Sequence, residues 1–164
     1  MLAIDYKLLH RTEVLARPAE EFGNDQTLEH LWAAKAIEHS ELYFNVLCSV
    51  DTRWLRLTPH DDLIYTHFKQ DFPDLDVSLI VEEELKNPTN KTKWRMFCEK
   101  FKNIVEDYSF GTLIRADVNG DYSEKNTILV ARVQFYAIEI ARNRHGLNNV
   151  VKKIHKCSVT NGDL

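Results

Sequence analysis

The amino-acid sequence predicts an α+β fold that is mainly helical, with about four to five helices and a small antiparallel sheet or hairpin. Three observations predict this class. Long stretches place apolar residues three and four positions apart, a short stretch places them two apart, and one Asn-Gly pair follows a short strand-like segment. With 164 residues, 44% of them apolar, the chain is long enough for one domain with its own core.

Two helices are predicted in the first half of the chain. Asn24 and Asp25 are good N-cap residues, and the helical spacing that follows them extends to about Ser49. A second helix begins at Thr58, a capping residue that precedes proline, and it ends near Phe72, where another proline follows.

The middle of the chain changes its period twice. Residues 75–79 alternate between apolar and polar, which predicts a half-buried strand. From 94 to 108 the apolar residues return to helical spacing, and we expect one continuous helix that stops at Gly111.

A hairpin and a final helix complete the prediction. Residues 112–118 form a strand, Asn119-Gly120 forms a tight turn, and 121–128 return as the second strand. The stretch 130–145 is apolar almost all round, as in the central helix of a domain, and Gly146 ends it.

One narrow polar stripe interrupts that last helix. It consists of Arg132, Glu139, Arg142 and Asn143, with Glu139 three and four positions before its two potential partners. Two interpretations stay open: a satisfied polar seam that orients the helix against the sheet, or a stripe on a rigid element that binds a partner.

The domain organisation is expected to be simple. Residues 1–20 form an N-terminal segment, 21–148 a single globular domain, and 149–164 a basic C-terminal tail. No internal repeat or composition break divides the chain.

Composition excludes several classes of protein. The net charge of −4 gives no general attraction to nucleic acid or anionic lipid, so neither is an expected partner. No run of about 20 apolar residues is present, and the first residues resemble neither a signal peptide nor a transit peptide. Three widely spaced cysteines without a Cys-x-x-Cys pair suit reduced thiols in the cytosol. We therefore expect a cytoplasmic protein.

Motifs for catalysis or cofactor binding do not emerge. The segment 117–121 resembles the start of a calcium loop, but Tyr122 replaces the required Gly and Ile128 replaces the bidentate Glu. The histidines lack ligand spacing, and no glycine-rich phosphate loop or nucleophile motif occurs. The sequence predicts no metal, no cofactor and no catalytic residue, although paired carboxylates leave a minor possibility of an enzyme.

Three segments resemble one known family. They are 22–25 (FGND), 97–117 (FCEKFKNIVEDYSFGTLIRAD) and 126–144 (NTILVARVQFYAIEIARNR). On these segments the chain is identified as a member of the polysaccharide biosynthesis domain-containing protein 1 family, over about residues 20–148.

The resemblance implies a function that the residues themselves do not show. Eukaryotic members are dedicated, non-catalytic chaperones of newly made translation elongation factor 1-alpha; they engage its GTP-binding domain in concert with the nascent polypeptide-associated complex. The family name suggests an alternative, an enzyme linked to polysaccharide biosynthesis or sugar methylation.

A protein-binding site is hypothesised from the same segments. Two regions combine the family likeness with polar residues that a core does not demand. They comprise Phe22, Asn24 and Asp25 at the entry to the domain, and Arg132, Glu139, Arg142, Asn143 and Arg144 on the last helix.

Overall fold

The structure, a computed structural model, describes residues 26–154. The elements in chain order are α1 (Gln26–Ser49), α2 (Asp61–Asp71), α3 (Glu82–Leu85), α4 (Pro88–Glu99), β1 (Gly111–Arg115), β2 (Thr127–Ala131) and α5 (Arg132–Arg144). Short 3-10 turns cover Thr52–Trp54, Glu124–Asn126 and Leu147–Val150. The predicted class, mainly helical α+β with a small antiparallel sheet, is confirmed.

Helix α5 occupies the centre of the fold. All residues from 132 to 143 are buried, and the helix packs against α2, β1, β2 and the turn at 52–54. Its predicted span of 130–145 is confirmed to within two residues. Gly146 adopts φ 73°, the left-handed conformation that ends many helices and that glycine adopts without a steric penalty. Beyond α5 the chain stays packed on the domain as far as Val151, which is fully buried.

The sheet is a two-stranded antiparallel hairpin. The register runs from Gly111 opposite Ala131 to Arg115 opposite Thr127. The second strand therefore begins six residues later than predicted, and an 11-residue connection, 116–126, replaces the tight turn.

The Asn126 side chain closes that connection. Its Oδ1 accepts from the Asp117 backbone N–H at 2.9 Å, and its Nδ2 donates to the carbonyls of Asp117 and Asp121 at 3.0 and 2.9 Å. Among residues 26–154, positive φ occurs only at Asp107 and Gly146. Asn119 therefore lacks the conformation of a primed hairpin turn, and the prediction of such a turn was wrong.

The predicted strand at 75–79 is also wrong. This segment is a loop with a single bridge, between Leu79 and Asp117. The Asp76 carboxylate accepts from both the backbone N–H and the hydroxyl of Ser78, at 2.9 and 2.6 Å. Such local side-chain bonds compete with strand pairing.

The predicted helix at 94–108 is only half correct. Helix α4 begins at Pro88, capped by the Asn87 side chain at 2.8 Å from the Asn90 N–H, and it ends at Glu99. Turns follow, and Asp107 reverses the chain with φ 54°. The apolar spacing misled the prediction because the turns still direct Phe101 and Val105 into the core.

The predicted N-cap of α2 can be compared with the structure, whereas the predicted caps of α1 cannot. Helix α2 begins at Asp61, three residues after the predicted cap, because the Asp61 carboxylate accepts from the backbone N–H groups of Leu57 and Thr58. The proposed caps Asn24 and Asp25 lie outside the described residues. Within 26–154, no helix has the length and apolar composition needed to cross a bilayer.

Candidate functional site

The polar stripe of α5 lies inside the protein. Glu139 and Arg142 are completely buried, Asn143 is 1% exposed and Arg132 is 6% exposed. In this structure their side chains are therefore inaccessible to a partner protein. Three of them, Glu139, Arg142 and Asn143, belong to one hydrogen-bonded network, which we call the buried polar network together with Tyr43, Arg115 and Asn148.

Arg142 ties two separate parts of the chain to α5. Its Nε donates to the carbonyl of Val77 at 2.6 Å, and its two terminal nitrogens donate to the carbonyls of Arg115 and Ala116 at 2.8 and 3.0 Å. The nitrogen that bonds Arg115 also donates to the Glu139 carboxylate at 2.8 Å. This guanidinium holds the loop before α3 and the end of β1 against the central helix.

Glu139 is the anionic member of the network. Its carboxylate accepts from the Tyr43 hydroxyl at 2.6 Å and from the Asn148 amide at 2.8 Å, in addition to Arg142. Burial by itself raises the pKa of this carboxyl, but the charges of Arg142 and Arg115, together with the hydrogen bonds from Tyr43 and Arg142, outweigh burial and hold the pKa below its usual range. Glu139 is therefore ionised. Burial and the neighbouring carboxylate raise the pKa of Tyr43 well above its usual value.

Arg115 is the second cation of the network. It donates to the carbonyls of Val118 and Gly120 at 2.9 and 3.0 Å and to the Asn148 side-chain oxygen. Its guanidinium also lies 5.8 and 5.9 Å from the ring centres of Phe44 and Tyr122, whose own centres are 6.1 Å apart. These contacts fix the 116–126 connection.

Sequence reasoning missed Tyr43, Arg115 and Asn148. Tyr43 and Glu139 are 96 residues apart, and Arg115 and Asn148 are 33 apart. The spacing of residues within one helix or strand cannot indicate partners so far apart in the sequence. The resulting arrangement, two guanidinium groups and one carboxylate bonded to carbonyls and amides, holds the fold together.

Arg132 lies apart from the network. Its Nε donates to the Thr112 hydroxyl at 2.8 Å, and its guanidinium lies 5.2 Å from the centre of the Phe110 ring. Nearby, His39 packs edge-on to Phe135 with ring centres 5.3 Å apart. Burial, followed by the charge of Arg132, lowers the pKa of His39 to about 3. This histidine is neutral at physiological pH.

The described residues offer little for metal or thiol chemistry. Across 26–154, no group of three His, Cys, Asp or Glu side chains is placed to hold a metal ion. Cys48 and Cys98 are free thiols. Burial and the adjacent Glu99 raise the pKa of Cys98 to about 11, so the nucleophilic thiolate is scarce at neutral pH.

Among the hypothesised site residues within 26–154, Arg144 is the exposed one. Its guanidinium lies 4.6 Å from the centre of the Tyr65 ring and pairs with Asp62 at 2.5 Å. The hydrogen bond from Arg144 and the positive charge of its guanidinium lower the pKa of Asp62. The Tyr65 hydroxyl in turn lies 3.2 Å from Nε2 of His145.

An exposed tryptophan lies on the turn that packs beside the end of α5. Trp54 is 81% exposed, and its neighbour Arg53 reaches the region of Gly146. The turn is rigid because the Asp51 carboxylate accepts from the backbone and the guanidinium of Arg53, and Thr52 donates to Asn149. We call Arg53, Trp54, Tyr65, Arg144 and His145 the arginine–tryptophan surface.

Sequence reasoning also missed Trp54. It lies between two stretches of helical spacing, where nothing in the pattern distinguishes an exposed tryptophan from a buried one. Phe22, Asn24 and Asp25, the other hypothesised contacts, lie outside the described residues. Binding through any of the hypothesised residues stays a prediction.

A family model and individual proteins that are similar in sequence point to the same family. A sequence model described as "PBDC1 protein" matches residues 28–153. The chain is 47% identical to human Protein PBDC1 over 145 residues, 88% of this chain and 62% of the human protein. It is 44% identical to the Saccharomyces cerevisiae Protein PBDC1 homolog over 135 residues, 80% of this chain and 92% of the yeast protein.

A solved structure supports the fold. A solution NMR structure of a Saccharomyces cerevisiae protein superposes with a TM-score of 0.75 at 43% identity. The match covers 84% of this chain and 97% of the yeast chain. The fold is thus shared across nearly the whole of that structure.

Proposed function

The chain belongs to the PBDC1 protein family, and from that membership we propose that it is a cytosolic, non-catalytic chaperone of newly made translation elongation factor 1-alpha. The client contact is made with the GTP-binding domain, in concert with the nascent polypeptide-associated complex. The proposal rests first on the resemblance of residues 97–117 and 126–144 to the family.

One structural observation supports a protein-binding role: the arginine–tryptophan surface. Tryptophan, tyrosine and arginine are the residues most enriched at the energetic centres of protein interfaces. Here Trp54 is exposed on a rigid turn, and Arg144 is held in place by Tyr65 and Asp62. Because Arg144 is already held by these two contacts, its side chain loses less conformational entropy when a partner binds.

The burial of the polar stripe changes which residue of α5 contacts the client. Arg142 and Asn143 are inaccessible, whereas Arg144 faces solvent at the end of the helix. We therefore place the contact at Arg144 and Trp54. Arg142→Glu is unsuitable as a binding test, because it reverses a fully buried charge and disrupts the fold.

The test is a binding assay with elongation factor 1-alpha as it is synthesised. The factor is translated in a cell-free system with the purified full chain present, and the co-isolated client is quantified. Trp54→Ala and Arg144→Glu should each lower capture at least tenfold, the effect of losing about 1.4 kcal/mol or more of binding free energy.

Met96→Ala is the matched control. Met96 is another large apolar residue, 67% exposed, on a different helix, and its truncation should leave capture unchanged. If the wild-type chain does not capture the factor, the proposed function is wrong. If capture occurs but Trp54→Ala and Arg144→Glu both retain it, the client binds elsewhere.

A further inference from the structure

A second surface, distinct from the arginine–tryptophan surface, lies beyond the opposite end of α2. Here the chain forms an open cleft of about 210 Å³ between the loop at 72–81 and the helices α3 and α4. Asp62, next to Arg144, lies near the start of α2, and Phe72 follows its end. The two surfaces are thus separated by about 15 Å along that helix.

The walls of the cleft are apolar and partly open to solvent. Leu79 is 52% exposed and Val81 is 43% exposed, although both are large aliphatic residues. Behind them the rings of Phe72 and Trp94 are stacked, with centres 3.9 Å apart. Exposed aliphatic side chains around a concave surface are typical of a binding groove.

The rim of the cleft carries negative charge only. Among residues 26–154, the charged lining residues are Asp74, Asp76 and Glu84, and none of the lining residues is Lys, Arg or His. The surrounding segment 70–85 contains six Asp and Glu and no Lys, Arg or His. Hydrogen bonds from Ser78 lower the pKa of Asp76, so this carboxylate is charged at neutral pH.

The cleft is held in shape before any ligand arrives. The Asn90 amide donates to the carbonyl of Glu84 at 2.7 Å, which joins α3 to α4. On the other wall, the Ile80 N–H donates to the carbonyl of Ala116 at 2.9 Å, beside the bridge that Leu79 makes to Asp117. Little ordering is therefore required on binding.

We propose that this cleft is a docking site for a basic, apolar segment of a partner protein, one that presents Arg or Lys next to an aliphatic side chain. The alkyl part of the cationic residue packs on Leu79 and Val81, and its charged end reaches the carboxylates of the rim. Lys93 lies beside the cleft, with its Nζ 5.1 Å from the centre of the buried Phe72 ring, so the incoming cation is expected at the carboxylates of the rim.

The charge of the chain itself argues for an external occupant. Residues 1–25 hold five Asp and Glu against three Lys and Arg, and residues 155–164 hold one Lys and one Asp. Taken as a whole, neither segment carries excess positive charge; residues 7–17, with three Lys and Arg against one Glu, are the stretch whose contact with the cleft the NMR experiment tests. This proposal names no client and does not depend on the assignment to elongation factor 1-alpha.

The test uses the ¹⁵N-labelled full chain and a synthetic peptide. The probe is a capped eight-residue peptide that alternates Arg and Leu, and the control peptide has Glu in place of Arg. The Arg peptide should shift the backbone amide signals of residues 72–94, with an affinity that falls as salt is added. The Glu peptide should produce no shifts there.

Paired charge-reversal variants separate the cleft from the net charge of the protein. Asp74→Lys with Glu84→Lys should weaken binding of the Arg peptide at least tenfold. Glu41→Lys with Glu124→Lys changes the net charge equally, at exposed positions outside the cleft, and should change the affinity less than threefold. Leu79→Asn, at a half-exposed position, tests the apolar wall if the first pair does not fold, and it should also lower the affinity.

Three results would overturn the proposal. The first is an equal loss of affinity in both pairs of variants, which would indicate attraction to net charge alone. The second is the appearance of contacts in the NMR spectra between Leu79 or Val81 and residues 1–25 or 155–164, which would show the cleft to be filled by its own chain. The third is concentration-dependent shifts of the cleft signals without peptide, which would identify a second copy as the occupant.

Discussion

Two arginines of α5, two positions apart, occupy opposite environments. Arg142 is fully buried, and its guanidinium bonds Glu139 and three backbone carbonyls. Arg144 faces solvent, where it pairs with Asp62 and covers the ring of Tyr65. The first has no water to replace its partners, whereas the second does. Stability is therefore expected to depend on Arg142, and binding on Arg144.

The largest predicted effect is a loss of stability when the buried arginine, Arg142, is replaced. Arg142→Met removes the cation and leaves the Glu139 carboxylate in the core without its closest charge partner. Loss of one partner of a buried ion pair costs about 3–5 kcal/mol of unfolding free energy. Urea unfolding measures it, with Arg144→Met as the matched control. Equal losses in the two variants would contradict the contrast between them.

The second prediction concerns two buried titratable residues, Glu139 and His39, which differ in charge. Glu139 keeps its charge because two arginines face it, whereas His39, on α1, loses its proton to a pKa of about 3. Between about pH 6.5 and pH 3 the unfolded chain therefore binds a proton at His39 that the folded chain does not, so this residue makes stability rise with pH. Acidification from pH 8 to 5 should remove about 2 kcal/mol through this histidine.

His39→Leu should abolish that part of the pH dependence. Urea unfolding of the wild type and the variant is compared at pH 8, where only the packing change contributes, and at pH 5. The variant should lose less stability between the two pH values than the wild type. Identical slopes would show that His39 does not take up the proton on unfolding.

The smallest effect is expected at the exposed pair. Asp62→Asn removes the ion pair with Arg144, but water and salt solvate both groups, so the unfolding midpoint should fall only slightly. The difference from wild type should vanish at 0.5 M salt, about the ionic strength at which surface charges are screened. A large, salt-independent loss would mean that this pair is structural.

The contrast also shows what the sequence can predict. The span of α5 and the existence of a polar stripe follow from local spacing, because a helix repeats every 3.6 residues and its neighbours along the chain are known. Whether the stripe is a seam or a binding face depends on what packs on it. The decisive partners, Tyr43 and the carbonyl of Val77, are 96 and 65 residues away.

The wrong elements have the same cause. Residues 94–108 keep a helical apolar spacing, yet Asp107 reverses the chain so that the Tyr108 carbonyl can accept from the Val133 N–H at 2.9 Å. In the 116–126 connection, the amide of Asn126 closes a loop that the Asn119-Gly120 pair alone does not explain. Tertiary contacts overrode the local pattern in both places. Trp54 was missed because the spacing of apolar residues does not show whether a single tryptophan is exposed or buried.

The position of α5 in the chain has a consequence for synthesis. The helix that forms the centre of the domain begins at Arg132, after α1 to α4 and both strands have been made. Its bonds reach back to Tyr43 and Val77, and Asn149 accepts from Thr52 across 97 residues. Until this last stretch leaves the ribosome, the apolar faces of α1, α2 and β1 have no central helix to cover them. Folding of the domain therefore cannot be completed before α5 has emerged.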